Sequence, residues 1–240
     1  MKVLVITDIH SNIHSLEAIW DRENDSDIVY CAGDLVDYGP RPKEVIDWIR
    51  ERGAICVRGN HDTEVISCYR DCDLERLPVE ETRWQHHNAM RLSEEDIIFL
   101  ERLPACVDFK ADGNKYGMAH LYRELEVITN PHAFDIFVKE MSSGNQGGLP
   151  TRLIFGHTHR LSVTYLDDTK LWMNAGSVSY RGQRDIPSDP SQDAQYITIV
   201  DGEIQIKRVV YDVTSVYGEM KKQSVMDSEM ETAIRLFGPR

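Results

Sequence analysis

Five short clusters carry the residues best suited to chemistry: Asp8-Ile9-His10, Gly33-Asp34-Leu35-Val36-Asp37, Gly59-Asn60-His61-Asp62, the lone His120, and Gly156-His157-Thr158-His159. Each sits at or near the end of an apolar run. Together they hold the ligand types that a pair of divalent cations needs. Carboxylate, imidazole and one amide oxygen are borderline-hard donors, which suit Mn, Fe, Zn or Co better than an all-oxygen Mg or Ca site, and no thiolate belongs to the set. Two such cations held close together favour one kind of chemistry, the cleavage of phosphate esters by metal-activated water.

The elements that must position these residues follow from the hydrophobic pattern. Residues 3–7 read as a buried strand, 13–22 as a helix with Leu16, Ile19 and Trp20 on one face, and 28–32 as a second strand. Residues 42–52 then read as a helix and 55–57 as a third strand. Fully apolar strands alternating with amphipathic helices predict an α/β fold whose sheet has a parallel section covered on both faces. Between Asp62 and Leu103 the pattern turns helical and polar, with helices expected over 82–92 and 93–103 and an N-cap at Ser93. Strands are expected at 107–109, 116–119 and 152–155, a helix at 131–141, a connector at 142–148, and strands at 161–166, 170–173, 194–200 and 203–210. The last ~25 residues read as one C-terminal helix.

Ligands at the carboxyl ends of strands in an open α/β sheet converge, because the loops there emerge on one side. Asp8, Asp34, Asn60, His120 and His157 all have that placement. Alone, each has an ordinary reading as a cap, a turn residue or a core histidine; the fivefold recurrence is what points to a site. Gly59 and Gly156 directly precede ligand candidates and predict close backbone approach. His157 and His159 straddle Thr158, and an extended backbone would point both to the same side, so that one segment serves two metals.

Composition narrows the partners. The chain has 240 residues, with 27 Lys and Arg against 40 Asp and Glu, a formal charge of −13. That surface disfavours long nucleic acids, for which a basic stripe is needed. No apolar stretch approaches the ~20 residues of a membrane span, and the N-terminus begins with strand-like Val3-Leu4-Val5-Ile6, so a cytoplasmic location is expected. Five cysteines without a Cys-x-x-Cys pair indicate neither a disulfide framework nor a zinc knuckle. Cys68 and Cys72, four residues apart, read as incidental helix-face thiols for want of a nearby histidine, and His86-His87 as a solvated pair.

The five blocks, in the order D-x-H, G-D-x-x-D, G-N-H-D, His and G-H-x-H over residues 8–159, resemble the calcineurin-like metallophosphoesterase superfamily. Gly33–Pro42 and Asn174-Ala-Gly-Ser-Val178 are further similar to its compact bacterial and archaeal branch, which includes small phosphodiesterases and dinucleoside polyphosphate hydrolases. The resemblance implies a four-layer fold, a β-sandwich of two mixed sheets flanked by helices, forming a single domain over 1–240 with segments 63–103 and 122–145 walling the cleft. It implies that Asp8, His10, Asp34 and His159 hold one metal and Asp34, Asn60, His120 and His157 the other, with Asp34 bridging. The metals would be Mn first, with Fe, Zn, Co or Ni as alternatives. His61 is carried over as the group that stabilises or protonates the leaving oxygen, and Asp37 and Asp62 as residues that orient imidazoles or backbone turns.

Two dications less two carboxylates leave about +2 at such a site, so a small anionic ester is attracted despite the acidic surface, which salt screens beyond ~8 Å. Arg58, Arg123, Arg181 and Arg184 are candidate phosphate clamps, the last two through the loop that follows Asn174–Val178. The implied activity is hydrolysis of a small phosphodiester, phosphomonoester or dinucleoside polyphosphate by a metal-bridging hydroxide. A catalytically silent scaffold on the same fold, a nuclease, and a homo-oligomeric state are the alternatives left open.

Overall fold

The computed structural model describes residues 1–123, 126–141, 148–180, 192–224 and 226–238. In the first sheet, β1 (Lys2–Ile6), β2 (Ile28–Cys31) and β3 (Ile55–Cys56) run parallel, linked by helices α1 (Ile13–Glu23) and α2 (Pro42–Glu51). The hairpin β9 (Ala194–Val200) and β10 (Glu203–Val209) completes it antiparallel to β1, in the order β10-β9-β1-β2-β3. The turn between them uses left-handed Asp201 and Gly202, the pairing that two-residue hairpins favour.

The second sheet has the order β4-β5-β6-β8-β7, from β4 (Cys106–Ala111), β5 (Asn114–Ala119), β6 (Arg152–Phe155), β7 (Ser162–Tyr165) and β8 (Leu171–Asn174). Strands β5, β6 and β8 are parallel and the outer two antiparallel. The two mixed five-stranded sheets with flanking helices match the fold class expected from the sequence.

Alternation along β1 explains the layering. Val3 and Val5 point into a core shared with Phe109, Tyr116, Met118 and Ile154 of the second sheet, whereas Leu4 and Ile6 point outward under the helices. Helices α3 (Asn60–Asp71), α4 (Trp84–Arg91) and α5 (Glu94–Arg102) pack together beyond β3, and α6 (Pro131–Met141) covers Leu153, Phe155 and Trp172 on the opposite outer face. Ser93 caps α5 as its sequence predicts, accepting from the Asp96 N–H while Asp96 accepts from the Ser93 N–H. None of the described helices is long and apolar enough to cross a membrane.

The expected single C-terminal helix is two, α7 (Val213–Gln223) and α8 (Asp227–Phe237), with extended backbone at Ser224 and Met226. A straight helix of ~25 residues would be ~37 Å long and would run off the core. The break lets Val216 and Met220 of α7 and Ala233, Leu236 and Phe237 of α8 bury in the same cluster.

One buried ion network ties this end of the fold together. Glu23, at the C-terminus of α1 and 3% exposed, accepts from the Tyr196 hydroxyl at 2.8 Å and pairs with Lys207 at 3.0 Å and Lys2 at 2.8 Å. Burial pushes its carboxyl up, but these three donors outweigh burial and hold it below the usual 4.5. A depressed folded-state pKa stabilises above the unfolded value and is lost as pH falls through the folded one. Glu23→Ala is therefore expected to cost about 3 kcal/mol in urea unfolding at neutral pH, with the gap from wild type closing as the pH drops below that value.

Candidate metal centre

The two loops that follow β1 and β2 fold against each other through main-chain bonds. Asp8 N–H donates to Gly33 O, Ile9 and His10 N–H both donate to Asp34 O, and Ser11 N–H donates to Leu35 O, all at 2.8–3.0 Å. Asp8, His10, Ser11 and Asp34 have φ of 47–54°, a left-handed backbone that costs a non-glycine residue roughly 1–2 kcal/mol. The mutual hydrogen bonds hold these residues there. A third segment, Asn174–Tyr180, clasps the first loop from the other side: Val178 N–H donates to Thr7 O, and Ser177 Oγ and Ser179 N–H donate to Asp8 O.

Asp62 sets the second loop. Its buried carboxylate accepts four main-chain N–H bonds, from Asp34, Leu35, Val36 and Gly59, at 2.8–3.1 Å. Burial and the neighbouring Asp34 charge raise its carboxyl to about 6. Of the two roles the sequence left for Asp62, the backbone turn is the one the fold uses; orienting an imidazole falls to Asp37, whose Oδ2 lies 2.7 Å from His61 Nδ1. Gly59 must be glycine, because a Cβ there would lie 2.0 Å from Asp34 Oδ1. At Gly156 it would lie 2.1 Å from Thr7 Oγ1.

The structure brings all seven expected ligands together, in two adjoining groups. Asp8, His10 and His159 form one: His159 Nε2 lies 3.1 Å from both Asp8 Oδ1 and His10 Nε2, and His10 Nε2 lies 3.8 Å from Asp34 Oδ2. Asp34, His120 and His157 form the other, with Asn60 among them: His120 Nε2 lies 3.1 Å from Asp34 Oδ2 and 3.0 Å from Asn60 Oδ1, which is also 3.0 Å from His157 Nδ1. Asp34 lies in the second group and is the residue of it that reaches His10 of the first. His157 and His159 are divided between the groups as expected, but by left-handed backbone at both (φ 71° and 54°) and not by an extended segment.

The tautomers are fixed from behind. His120 Nδ1 donates to Ala32 O at 2.7 Å and His159 Nδ1 to Tyr180 O at 2.8 Å, so in each neutral ring Nε2 presents a lone pair inward. Those lone pairs face carboxylate oxygens, and buried Asp34 Oδ2 has no hydrogen-bond partner. Lone pairs converging on one another repel unless positive charge sits among them, so the donor set fits divalent cations. Without such ions, protons do part of that work. Burial pushes His120 down, but the Asp34 carboxylate outweighs it and lifts the ring to about 10; the same contact, against burial, holds Asp34 below the carboxylate range.

His61 opens helix α3 beside this group. Its N–H donates to Asp34 Oδ1 at 2.9 Å and its ring stands edge-on to His10, centroids 5.0 Å apart. Burial lowers its pKa, but the Asp37 hydrogen bond and the Asp34 and Asp37 charges prevail and raise it to about 9.

Several residues here carry no sequence signal. Tyr38 and Tyr180 pack on the His10 ring at 5.5 and 5.1 Å. Asn88, fully inside α4, accepts from Ser11 Oγ and Asp37 N–H and donates to Gly39 O, clipping two ligand loops together. Its neighbours correct another expectation: His87 is buried 3.3 Å from Glu229 of α8, and His86 Nδ1 accepts the Arg83 N–H, so neither is a solvated surface histidine. The fold also supplies the histidine that Cys68 and Cys72 lacked in sequence, placing His86 Nε2 4.0 Å from Cys72 Sγ. Of the expected phosphate clamps, Arg123 is paired with Glu140 at 2.7 Å, Arg58 donates to Glu101 O, and Arg181 and Arg184 lie outside the described residues. Two recesses adjoin the centre: one of about 560 Å³ at His157, bordered by Glu126, Arg160 and Trp172, and one of about 290 Å³ at Tyr38.

Residues 1–189 match the family model of the calcineurin-like phosphoesterase superfamily domain. The chain belongs to that superfamily. It is 29% identical over 238 residues to an uncharacterised protein of Methanocaldococcus jannaschii, covering 92% of each. Over a shorter stretch of 75 residues, 29% of this chain and 27% of the other, it is 36% identical to a symmetrical bis(5'-nucleosyl)-tetraphosphatase of Erwinia tasmaniensis. Its fold superposes on a crystal structure of a metallophosphoesterase from Sphaerobacter thermophilus with a TM-score of 0.73 at 24% identity, covering 100% of this chain and 99% of the other.

Because four amides depend on one carboxylate, Asp62→Ala is expected to lower stability by about 3 kcal/mol in denaturant unfolding, more than a surface Asp→Ala, although Asp62 belongs to neither ligand group.

Proposed function

We propose that this member of the superfamily is a dinuclear metal-dependent phosphoesterase acting on a small phosphodiester, phosphomonoester or dinucleoside polyphosphate. The observation that carries the reading is the convergence of seven donor residues, Asp34 among them, with a non-ligand histidine, His61, fixed beside them. Asp8, His10, Asp34 and His159 would hold one ion and Asp34, Asn60, His120 and His157 the other, Mn being the first choice and Fe, Zn, Co or Ni the alternatives. When bound, the ions activate a water and neutralise charge on the phosphoryl oxygens.

The chain's own groups do the rest. Asp37 ties up His61 Nδ1 and fixes the ring plane, which leaves Nε2 as the nitrogen for the leaving oxygen. Ala32 O and Tyr180 O, by holding the outer nitrogens of His120 and His159, keep the inner ones free for coordination. We read residues 1–240 as one cytoplasmic domain in which segments 63–103 and 122–145 wall the cleft. Supporting this, Arg83 and Trp84 border the recess at Tyr38, and Glu126 and Val127 border the one at His157. Arg181 and Arg184 are retained as phosphate clamps on sequence grounds.

With Mn present, the purified protein is expected to hydrolyse at least one of an aryl phosphate, a bis-aryl phosphate or a nucleotide panel. Asn60→Ala and His61→Ala should each reduce kcat by about 10²–10³ while leaving the melting temperature of the metal-free protein within a few degrees. Full activity in both variants would refute the assignment.

A further inference from the structure

The recess at Tyr38 has a chemistry unlike the rest of this acidic chain. It is bordered by Arg83, Gln85, Ser228, Thr232 and Arg235, from the N-terminal turn of α4 and from α8, and by Tyr38. Every one of those side chains can donate a hydrogen bond. The two arginines are exposed, and among the described residues neither is paired with a carboxylate: Arg83 Nη1 donates to the Glu80 and Thr82 carbonyls. The carboxylate at this recess, Glu229, is 1% exposed and is already engaged by His87 and by the Met226 N–H. By contrast, the recess at His157 matches its arginine, Arg160, with a more open carboxylate, Glu126, whose side chain is 63% exposed.

Position gives this donor-rich recess a meaning. The Tyr38 ring that walls it packs against His61, centroids 4.9 Å apart, and against His10 at 5.5 Å. It therefore adjoins the metal centre on the side of His61. We propose that Arg83 and Arg235 seat an anionic leaving group, so that the substrate is a phosphoanhydride, a chain of two or more phosphates, and not a simple alkyl or aryl ester. This rests on the phosphoesterase reading, in which His61 marks the leaving side. In the reaction, the oxygen of water bonds to the attacked phosphorus while that phosphorus loses its bond to the bridging oxygen. The bridging oxygen departs with the second phosphate and keeps the bonding electron pair, so one negative charge develops there; the two protons of water end on the product phosphates or in solvent. A guanidinium pair suits that charge, because each can bind phosphate oxygens through two parallel N–H bonds.

The test compares a dinucleoside tetraphosphate with bis(p-nitrophenyl) phosphate on the Mn-loaded enzyme. Arg83→Ala and Arg235→Ala are each expected to raise KM for the tetraphosphate about tenfold and to change the aryl diester by less than about twofold, with Arg235→Lys recovering part of the loss. As a readout independent of turnover, calorimetric binding of inorganic tripolyphosphate to the metal-free protein should weaken about tenfold in the double variant. Equal losses on both substrates, unchanged tetraphosphate kinetics, or unchanged tripolyphosphate binding would overturn the inference. A wild-type enzyme that cleaves only the aryl diester would overturn it too, while leaving the phosphoesterase reading intact; cleavage of neither would remove that reading itself.

Discussion

The fold closes around the buried carboxylate of Asp34. Its Oδ1 accepts the His61 N–H, its Oδ2 faces His120 and His10, its carbonyl accepts two N–H bonds from the first loop, and its own N–H is held by Asp62. A carboxylate 1% exposed has lost its hydration, which costs several kcal/mol unless positive charge replaces it. That requirement explains why two imidazoles, His120 and His10, face one oxygen and why the surrounding main chain accepts left-handed conformations. Cations in the same place would satisfy the same need more fully.

The scaffold serves this constraint by geometry more than by rigidity of any one loop. Parallel β1, β2 and β3 in one sheet, and parallel β5 and β6 in the other, discharge their loops at one edge of the sandwich, so residues far apart in sequence meet there. Secondary interactions then lock the meeting: Asn88 joins two loops from a helix, Asp62 gathers four amides, and glycines at 59 and 156 let chains pass at distances a Cβ would forbid. Strain at Asp8, His10, Asp34, His157 and His159 is concentrated where the polar side chains converge.

How much of this was legible in the sequence follows from its physical origin. The strand-end placement of Asp8, Asp34, Asn60, His120 and His157 is a local pattern, and the structure brings all of them together. The order of buried strands and amphipathic helices through the first half is equally local. What escaped depends on long-range contact. Asn88 looks like any helical asparagine until α4 packs on two loops; His87 is polar in sequence but buried against Glu229, 142 residues away. The helix break near Ser224 reflects the size of the core, and no proline or helix-ending glycine announces it. The histidine facing Cys72 comes from the next helix, beyond any spacing rule.

The central claim is that Asp34 lies between two ions held by seven residues. Anomalous diffraction from crystals of the Mn-loaded protein tests it most directly. The account predicts two peaks ~3.5–4 Å apart, both within bonding distance of Asp34, one flanked by His10 and His159 and the other by His120 and His157. A single peak, or two peaks that do not share Asp34, would contradict it.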